Sequence, residues 1–172
     1  MTGKEHTMAE VRTAHYSEIA ALGRVHSAAW RETYRGLIDD GYLDWLTPEV
    51  SVKIFQRRQR SGLLVLAEDG VIGGFAATGR AREEDLPAET GELAGLYLLK
   101  AYQGRGYGRM LFERAEERLF AAGCRRMVLW VLAGNGRAAG FYEKMGMRFD
   151  GRQKLAVLGS PVVELRMEKD LR

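Results

Sequence analysis

The stretch that most constrains this chain is Leu96 to Gly108, LYLLKAYQGRGYG, followed by the helix-like run RMLFERAEERLFAAG. An apolar, strand-like segment gives way to a turn with glycines at alternate positions, Gly104, Gly106 and Gly108, and then to an amphipathic helix. Glycine adopts backbone angles closed to other residues and lets a second molecule approach the main chain. A helix that opens there leaves its first N–H groups without internal partners, at the positive end of its macrodipole. A strand, a glycine turn and a helix start together make an anion site, most often one for phosphate.

Composition narrows the classes of protein that can use such a site. The 172 residues are 46% hydrophobic and 28% charged, which suits one soluble globular domain with a substantial core. No apolar run is long enough to span a membrane, and the first residues lack the apolar core of a signal peptide. A single cysteine, Cys124, excludes an internal disulfide framework and fits a reducing cytoplasm, where it reads as a small packing residue. The net charge of +3 suits an anionic ligand. Its basic residues are dispersed among acids, as in ERAEERL, rather than gathered in a stripe, so a nucleic-acid partner is the weaker reading. His, Cys, Asp and Glu show no metal-ligand spacing, and no metal is expected.

Along the chain, residues 1–8 are polar and aperiodic and read as a flexible N-terminus; residues 9–172 read as a single domain. Residues 9–14 alternate as a short strand. Ile19, Leu22, Val25, His26 and Ala29 recur at helical spacing, which predicts a helix to about Arg31. WRETYRGLIDDGYLDWL is broken by Gly36 and Gly41 and reads as a helix end, a loop and a short turn, with Leu43, Trp45 and Leu46 packing the loop down. Thr47-Pro48-Glu49 opens a helix that should reach Arg60. Strands over 63–67 and 71–78 flank the hairpin signal Glu68-Asp69-Gly70. A charged loop, GRAREEDLPAETG, precedes a strand over 92–99. A helix over 107–122, a strand over 125–132, a helix over 137–144 and strands over 149–157 and 162–167 complete the order β-α-α-β-β-β-α-β-α-β-β. That order is an α/β chain with one mixed sheet of six to seven strands and about four helices.

Two common nucleotide motifs fail on spacing. G-x-G-x-x-G belongs near a first strand, whereas here the spacing is G-x-G-x-G after four strands; no Lys-Ser or Lys-Thr pair follows, as a Walker loop requires. Gln103-Gly104-Arg105-Gly106-Tyr107-Gly108 instead resembles the Q/R-x-x-G-x-G/A signature of the GNAT superfamily of N-acetyltransferases. Asn135-Gly136-Arg137-Ala138, with Phe141-Tyr142-Glu143-Lys144-Met145-Gly146-Met147, is similar to that family's second signature, and Asn135 stands 27 residues beyond Gly108. WRETYRGL is similar to the N-terminal helix–loop of many bacterial members. The resemblance covers residues 9 to 169. Lys100 stands where the family often has proline, and Met147 where phenylalanine is common.

This resemblance implies a mostly antiparallel sheet whose fourth and fifth strands splay apart to hold acetyl-CoA. It implies that the N–H groups of Gln103, Gly104, Arg105, Gly106, Tyr107 and Gly108 hold the pyrophosphate, with Arg105 and Arg109 adding charge. It implies that the pantetheine arm pairs with backbone at Leu96, Tyr97 and Leu98, and that Asn135 hydrogen-bonds the cofactor. Tyr142 would then protonate the departing thiolate, and Glu92 matches the strand position where many members carry a base. Strict alternation would put Glu92 on the side of Ala94, Leu96 and Leu98, opposite Leu93, Gly95 and Tyr97. Trp130 falls near the cleft but reads as core. Trp30, Thr33 and Tyr34 fall in the region that shapes the acceptor pocket, with His26 read as packing. Asp39, Asp40 and Asp44 read as solvated loop charges, although they could favour a cationic acceptor.

The expected activity is transfer of acetyl from acetyl-CoA to a primary amine, a small molecule or a protein group, by direct attack in a ternary complex. The expected setting is the cytoplasm, without membrane or nucleic acid, with a homodimer plausible. The alternative is a non-catalytic CoA-binding regulatory or sensor module on the same fold.

Overall fold

Two apolar runs meet at Asp69 and Gly70, which take positive φ angles of 49° and 80° and so close a tight hairpin between β2 (Leu63–Glu68) and β3 (Val71–Arg80). The computed structural model describes residues 8–57 and 62–172. Around this hairpin a seven-stranded sheet is built from β1 (Ala9–Thr13), β4 (Thr90–Leu98), β5 (Arg126–Leu132), β6 (Arg148–Leu158) and β7 (Ser160–Asp170), in the order β1-β2-β3-β4-β5-β7-β6. All neighbours are antiparallel except β4 and β5. That parallel pair needs a crossover. It is supplied by α4 (Tyr107–Ala121), the helix after the glycine turn.

The helices cover the sheet in two layers. One face carries α4 and α5 (Gly136–Lys144), packed on a core that includes Leu111, Phe112, Leu119, Met127, Leu129 and Met167. The other carries α1 (Ile19–Tyr34) and α3 (Pro48–Gln56), which seal Leu22, Val25, Phe55, Val65 and Phe75 against the β1–β4 half. Thr47 caps α3 by accepting the Val50 N–H, with Pro48 in its first turn. A six-residue helix, α2 (Asp40–Trp45), forms where the sequence reads as loop and turn; the Asp39 side chain caps it by accepting the Tyr42 N–H at 2.9 Å. Its Leu43 is fully buried and Leu46 beside it nearly so, but Trp45 points outward at 54% exposure, because positions 43 and 46 share the inward side and 45 does not. The first helix also runs three residues past Arg31. The helix α3 ends at Gln56, with Arg57 as its cap, before the expected Arg60, which lies outside the described residues, as does nearly all of the expected flexible N-terminus. No helix among the described residues is long and apolar enough to cross a membrane.

One departure from simple alternation decides how the site is laid out. The β3–β4 ladder pairs Ala77 with Gly95 and Thr78 with Leu93, leaving Ala94 as the extra residue of a β-bulge. Leu93, Leu96 and Leu98 therefore all face α4, whereas Tyr97 faces α1. A side chain built on Gly91 would meet Leu119 and Cys124, which sets Gly91 on the α4 side too. Glu92 thus shares the face of Tyr97 and not that of Leu96 and Leu98, which corrects the strict alternation.

Candidate active site

The glycine turn is formed as its sequence dictates. After β4, residues Lys100–Tyr102 make one 3-10 turn, and the Gln103 amide donates back to the Leu98 carbonyl at 3.1 Å. Gly104 and Gly106 then take φ angles of 74° and 81°, with no atom within 4 Å of where a Cβ would stand. The turn is an open backbone cradle at the N-terminus of a fifteen-residue helix, and it points unpaired N–H groups at whatever anion lies there. Gly108 serves a different end: its Cβ would stand 3.3 Å from Phe141, so glycine lets α5 close on α4.

Two side chains fix the cradle from behind. The Arg105 guanidinium donates to the Glu68 carboxylate, 2.9 Å from Nη1 to Oε2, and the Tyr107 hydroxyl donates to the same group. Arg105 also lies over the Tyr107 ring, 4.7 Å from its centroid. Arg105 and Tyr107 therefore turn their side chains away from the cleft, and only their backbone can serve an anion there. Arg109 does line the cleft; it is exposed and pairs loosely with Glu113 at 3.5 Å.

Beside the cradle the sheet opens. β4 and β5 pair over three rungs only, Thr90 with Arg126, Gly91 with Met127 and Glu92 with Val128. Past Glu92 the two strands diverge, and β4 presents the backbone of 93–98 to a cleft of about 760 Å³. Leu96, Tyr97, Leu98, Gln103, Gly104, Gly106 and Gly108 line one wall. Asn135, Tyr142 and Phe141 line the other, and Thr33 and Tyr34 stand at the end nearest α1. Asn135 is buried and caps α5, its Oδ1 accepting the Ala138 N–H at 3.2 Å. No group of three or more His, Cys, Asp or Glu side chains suited to a metal ion lies among the described residues.

The ionisable groups divide sharply. Burial, with the nearby Tyr34 oxygen adding to it, pushes the Tyr142 phenol above its ordinary range. Tyr142 is thus neutral at any physiological pH and holds a proton it can donate. Tyr34 and Tyr97 touch through their hydroxyls at 2.9 Å. Burial raises both phenols, Tyr97 the more strongly. Glu92 is half-buried at the last β4–β5 rung, at the apex of the opening rather than on the cleft wall.

Several residues are placed differently from their sequence reading. Trp30 does not line the cleft; it packs behind the wall, 4.8 Å from Tyr34 and 5.9 Å from Tyr97 between ring centroids. Trp130 is not core: it is half-buried on the cleft wall, and its indole N–H donates to Glu83 at 2.7 Å. Asp40 and Asp44 pair with Arg35 at 3.1 and 3.6 Å and Asp39 caps α2, so these acids are committed locally. His26 is packed, with Nδ1 2.8 Å from Ser51 Oγ and its ring among Trp30, Phe55 and Phe75. The acid that lines the cleft at the α1 end is Glu32, which accepts the Lys100 N–H at 2.7 Å; Glu83 and Glu164, gathered around Trp130 and Lys154 beside the wall, are not singled out by the sequence. They come from a loop and a strand far apart in the chain, and no spacing signals their meeting.

A strand-loop-helix anion cradle beside a split sheet, with a neutral tyrosine on the wall, makes a cleft suited to an extended anionic ligand. Comparison with known proteins supplies the family. Residues 24–147 match the acetyltransferase (GNAT) family, and the chain belongs to it and is an acetyltransferase enzyme. It is 33% identical over 129 residues to the N-acetyltransferase YuaI of Bacillus subtilis, covering 74% of each chain. It is 29% identical over 140 residues to an N-acetyltransferase of Archaeoglobus fulgidus, covering 81% of this chain and 92% of the relative. Among solved structures it superposes on the PaiA N-acetyltransferase of Thermoplasma acidophilum, determined in complex with coenzyme A, with a TM-score of 0.75 at 24% identity over 95% and 99% of the two chains.

Proposed function

We propose that this protein transfers the acetyl group of acetyl-CoA to a primary amine by direct attack within a ternary complex. The observation that carries this reading is the three-rung β4–β5 junction, which opens next to the cradle and places Asn135 and Tyr142 opposite free backbone of β4. The residues fit the ligand: Gly104 and Gly106 leave room for a pyrophosphate on the N–H groups of 104–108, the Gln103 N–H being donated to the Lys100 carbonyl at 3.2 Å, and Asn135 lines the cleft beside the extended arm. Acetyl-CoA supplies, when bound, an acetyl group already activated as a thioester. The backbone of Leu96, Tyr97 and Leu98 pairs with the pantetheine arm as a missing strand would, and a backbone N–H near the bulge stabilises the oxyanion.

The chain's remaining task is proton handling. An amine with a pKa of about 8 to 10 arrives charged and must lose a proton before it can attack. Glu92, at the apex of the split and on the acceptor face, is the base, directly or through a water. Tyr142, held neutral by burial, keeps a proton at Oη for the departing sulfur. Thr33 and Tyr34 shape the acceptor end, with Trp30 supporting Tyr34 from behind.

Thiol release from acetyl-CoA across a panel of amines tests this. Tyr142→Phe and Glu92→Gln should each lower kcat by about a hundredfold, with the KM for acetyl-CoA little changed. For Glu92→Gln, the loss should lessen as pH rises toward the amine's own pKa. Tight CoA binding with no thiol release from any amine would instead identify a sensor module. Unchanged rates in both variants would remove the acid and base while leaving the cradle in place.

A further inference from the structure

One group of side chains beside the cleft wall takes no part in the scheme above, and its Trp130 is the member that lines the cleft. Glu83 comes from the β3–β4 loop, Trp130 from β5, Lys154 from β6 and Glu164 from β7. The Lys154 ammonium sits 4.1 Å from the centroid of the Trp130 ring and 3.7 Å from Glu164 Oε2. Glu83 accepts the Trp130 indole N–H, which fixes both the ring and the carboxylate. Burial alone would raise the Glu83 carboxyl. The Trp130 N–H, backbone N–H groups and the Lys154 charge outweigh it and hold Glu83 ionised.

The neighbouring acids are already matched by arginine. Arg166, almost fully buried, donates two bonds to Asp85 at 3.0 and 2.7 Å and one to Asp150 at 2.6 Å. Arg152 adds a contact to Asp85 at 3.4 Å. That closed network pins the loop, and with it Glu83, against the sheet. Outside it stand the carboxylates of Glu83 and Glu164 and the ring of Trp130, which lines the cleft and has the Lys154 ammonium 4.1 Å and the Arg166 guanidinium 5.6 Å from its centroid. The charge of Glu164 adds a minor share to the rise of the Tyr34 and Tyr97 phenols, after burial.

We propose that Glu83, Trp130 and Glu164 form a binding site for the second, non-reacting ammonium of a diamine acceptor, and that Lys154 is a tethered occupant which the acceptor displaces. This rests on the acetyl-transfer reading. The nitrogen that attacks must be neutral, whereas a π face and two carboxylates stabilise a charged one. The site therefore suits the charge that stays behind. Lys154 can leave readily, since its side chain is 44% exposed on the edge strand β6.

Matched acceptors test the site. With 1,5-diaminopentane and n-pentylamine, kcat/KM should favour the diamine about tenfold. Lys154→Met should widen that ratio, because it vacates the site, and Glu164→Gln should narrow it about threefold or more. Binding of both amines to the protein saturated with CoA, followed by calorimetry, gives a readout independent of turnover and should show the same order. Equal binding and equal kcat/KM for the two amines, or a ratio indifferent to both substitutions, overturns the site. Thiol release without diamine preference removes this site alone. Selective diamine binding without thiol release from any amine removes the transfer reading and leaves the site standing.

Discussion

At Gly106 the backbone holds a φ of 81°, and the space where a side chain would stand is empty. The residue is glycine for conformation and for access, not for packing. Gly106→Ala should cost about 1 kcal/mol of stability through the left-handed backbone and should raise the KM for acetyl-CoA several-fold, by placing a methyl in the cradle. Denaturant unfolding and steady-state kinetics on the same variant separate the two effects. This residue was legible in the sequence because a glycine turn before a helix has one common purpose. Trp130 was not: an apolar run reads as core, and only the split of the sheet exposes one of its members to a cleft. Nor was the commitment of Asp39, Asp40 and Asp44 to a helix cap and to Arg35, which depends on a six-residue helix that Gly36 and Gly41 disguise.

Among elements, the join between α4 and the hairpin of β2 and β3 sets the aim of the cradle. Glu68 ends β2 and receives both Arg105 and Tyr107, and these two contacts hold it ionised against its partial burial. Glu68→Gln should loosen the first turn of α4 and raise the KM for acetyl-CoA about fivefold, with kcat within a factor of two. A fall in kcat with unchanged KM would place Glu68 elsewhere in the reaction. The strands and helices themselves were largely readable from period and punctuation, and their boundaries agree within a few residues. The bulge at Ala94 was not readable. One inserted residue leaves no mark on composition, yet it moves Glu92 to the face of Tyr97.

For the whole molecule, acid stability has a named contributor. Glu18 receives Arg12 through two bonds at 2.9 and 2.7 Å and the His15 N–H at 2.7 Å, which ties the end of β1 to the start of α1. The Arg12 guanidinium, aided by the His15 N–H and opposed by burial, lowers the Glu18 carboxyl to about 2. Because the folded value lies below the ordinary carboxylate value of about 4.3, the stabilisation is complete above that pH and is lost as pH falls from there towards 2. Glu18→Gln should therefore cost about 1–2 kcal/mol at pH 7, and its deficit against the parent should shrink steadily in urea titrations run from pH 5 to pH 2.5. The splay of the fourth and fifth strands and the pairing of the two signatures in one cleft follow from the family resemblance, whereas the order of the strands in the sheet does not, since hydrophobic period says which residues face inward but not which strands are neighbours. The meeting of Glu83, Lys154 and Glu164 lay beyond both, because three distant segments converge only once the sheet is built.

The three rungs between β4 and β5 also bear on the mechanics of the molecule. Ladder hydrogen bonding runs continuously through β1 to β4 and again through β5, β7 and β6, but among the described residues the two groups of strands pair with each other over those three rungs alone. A ligand that pairs with the free edge of β4 supplies cross-links the chain itself lacks, so stiffness and melting temperature become functions of ligand concentration. Such a ligand would complete the sheet.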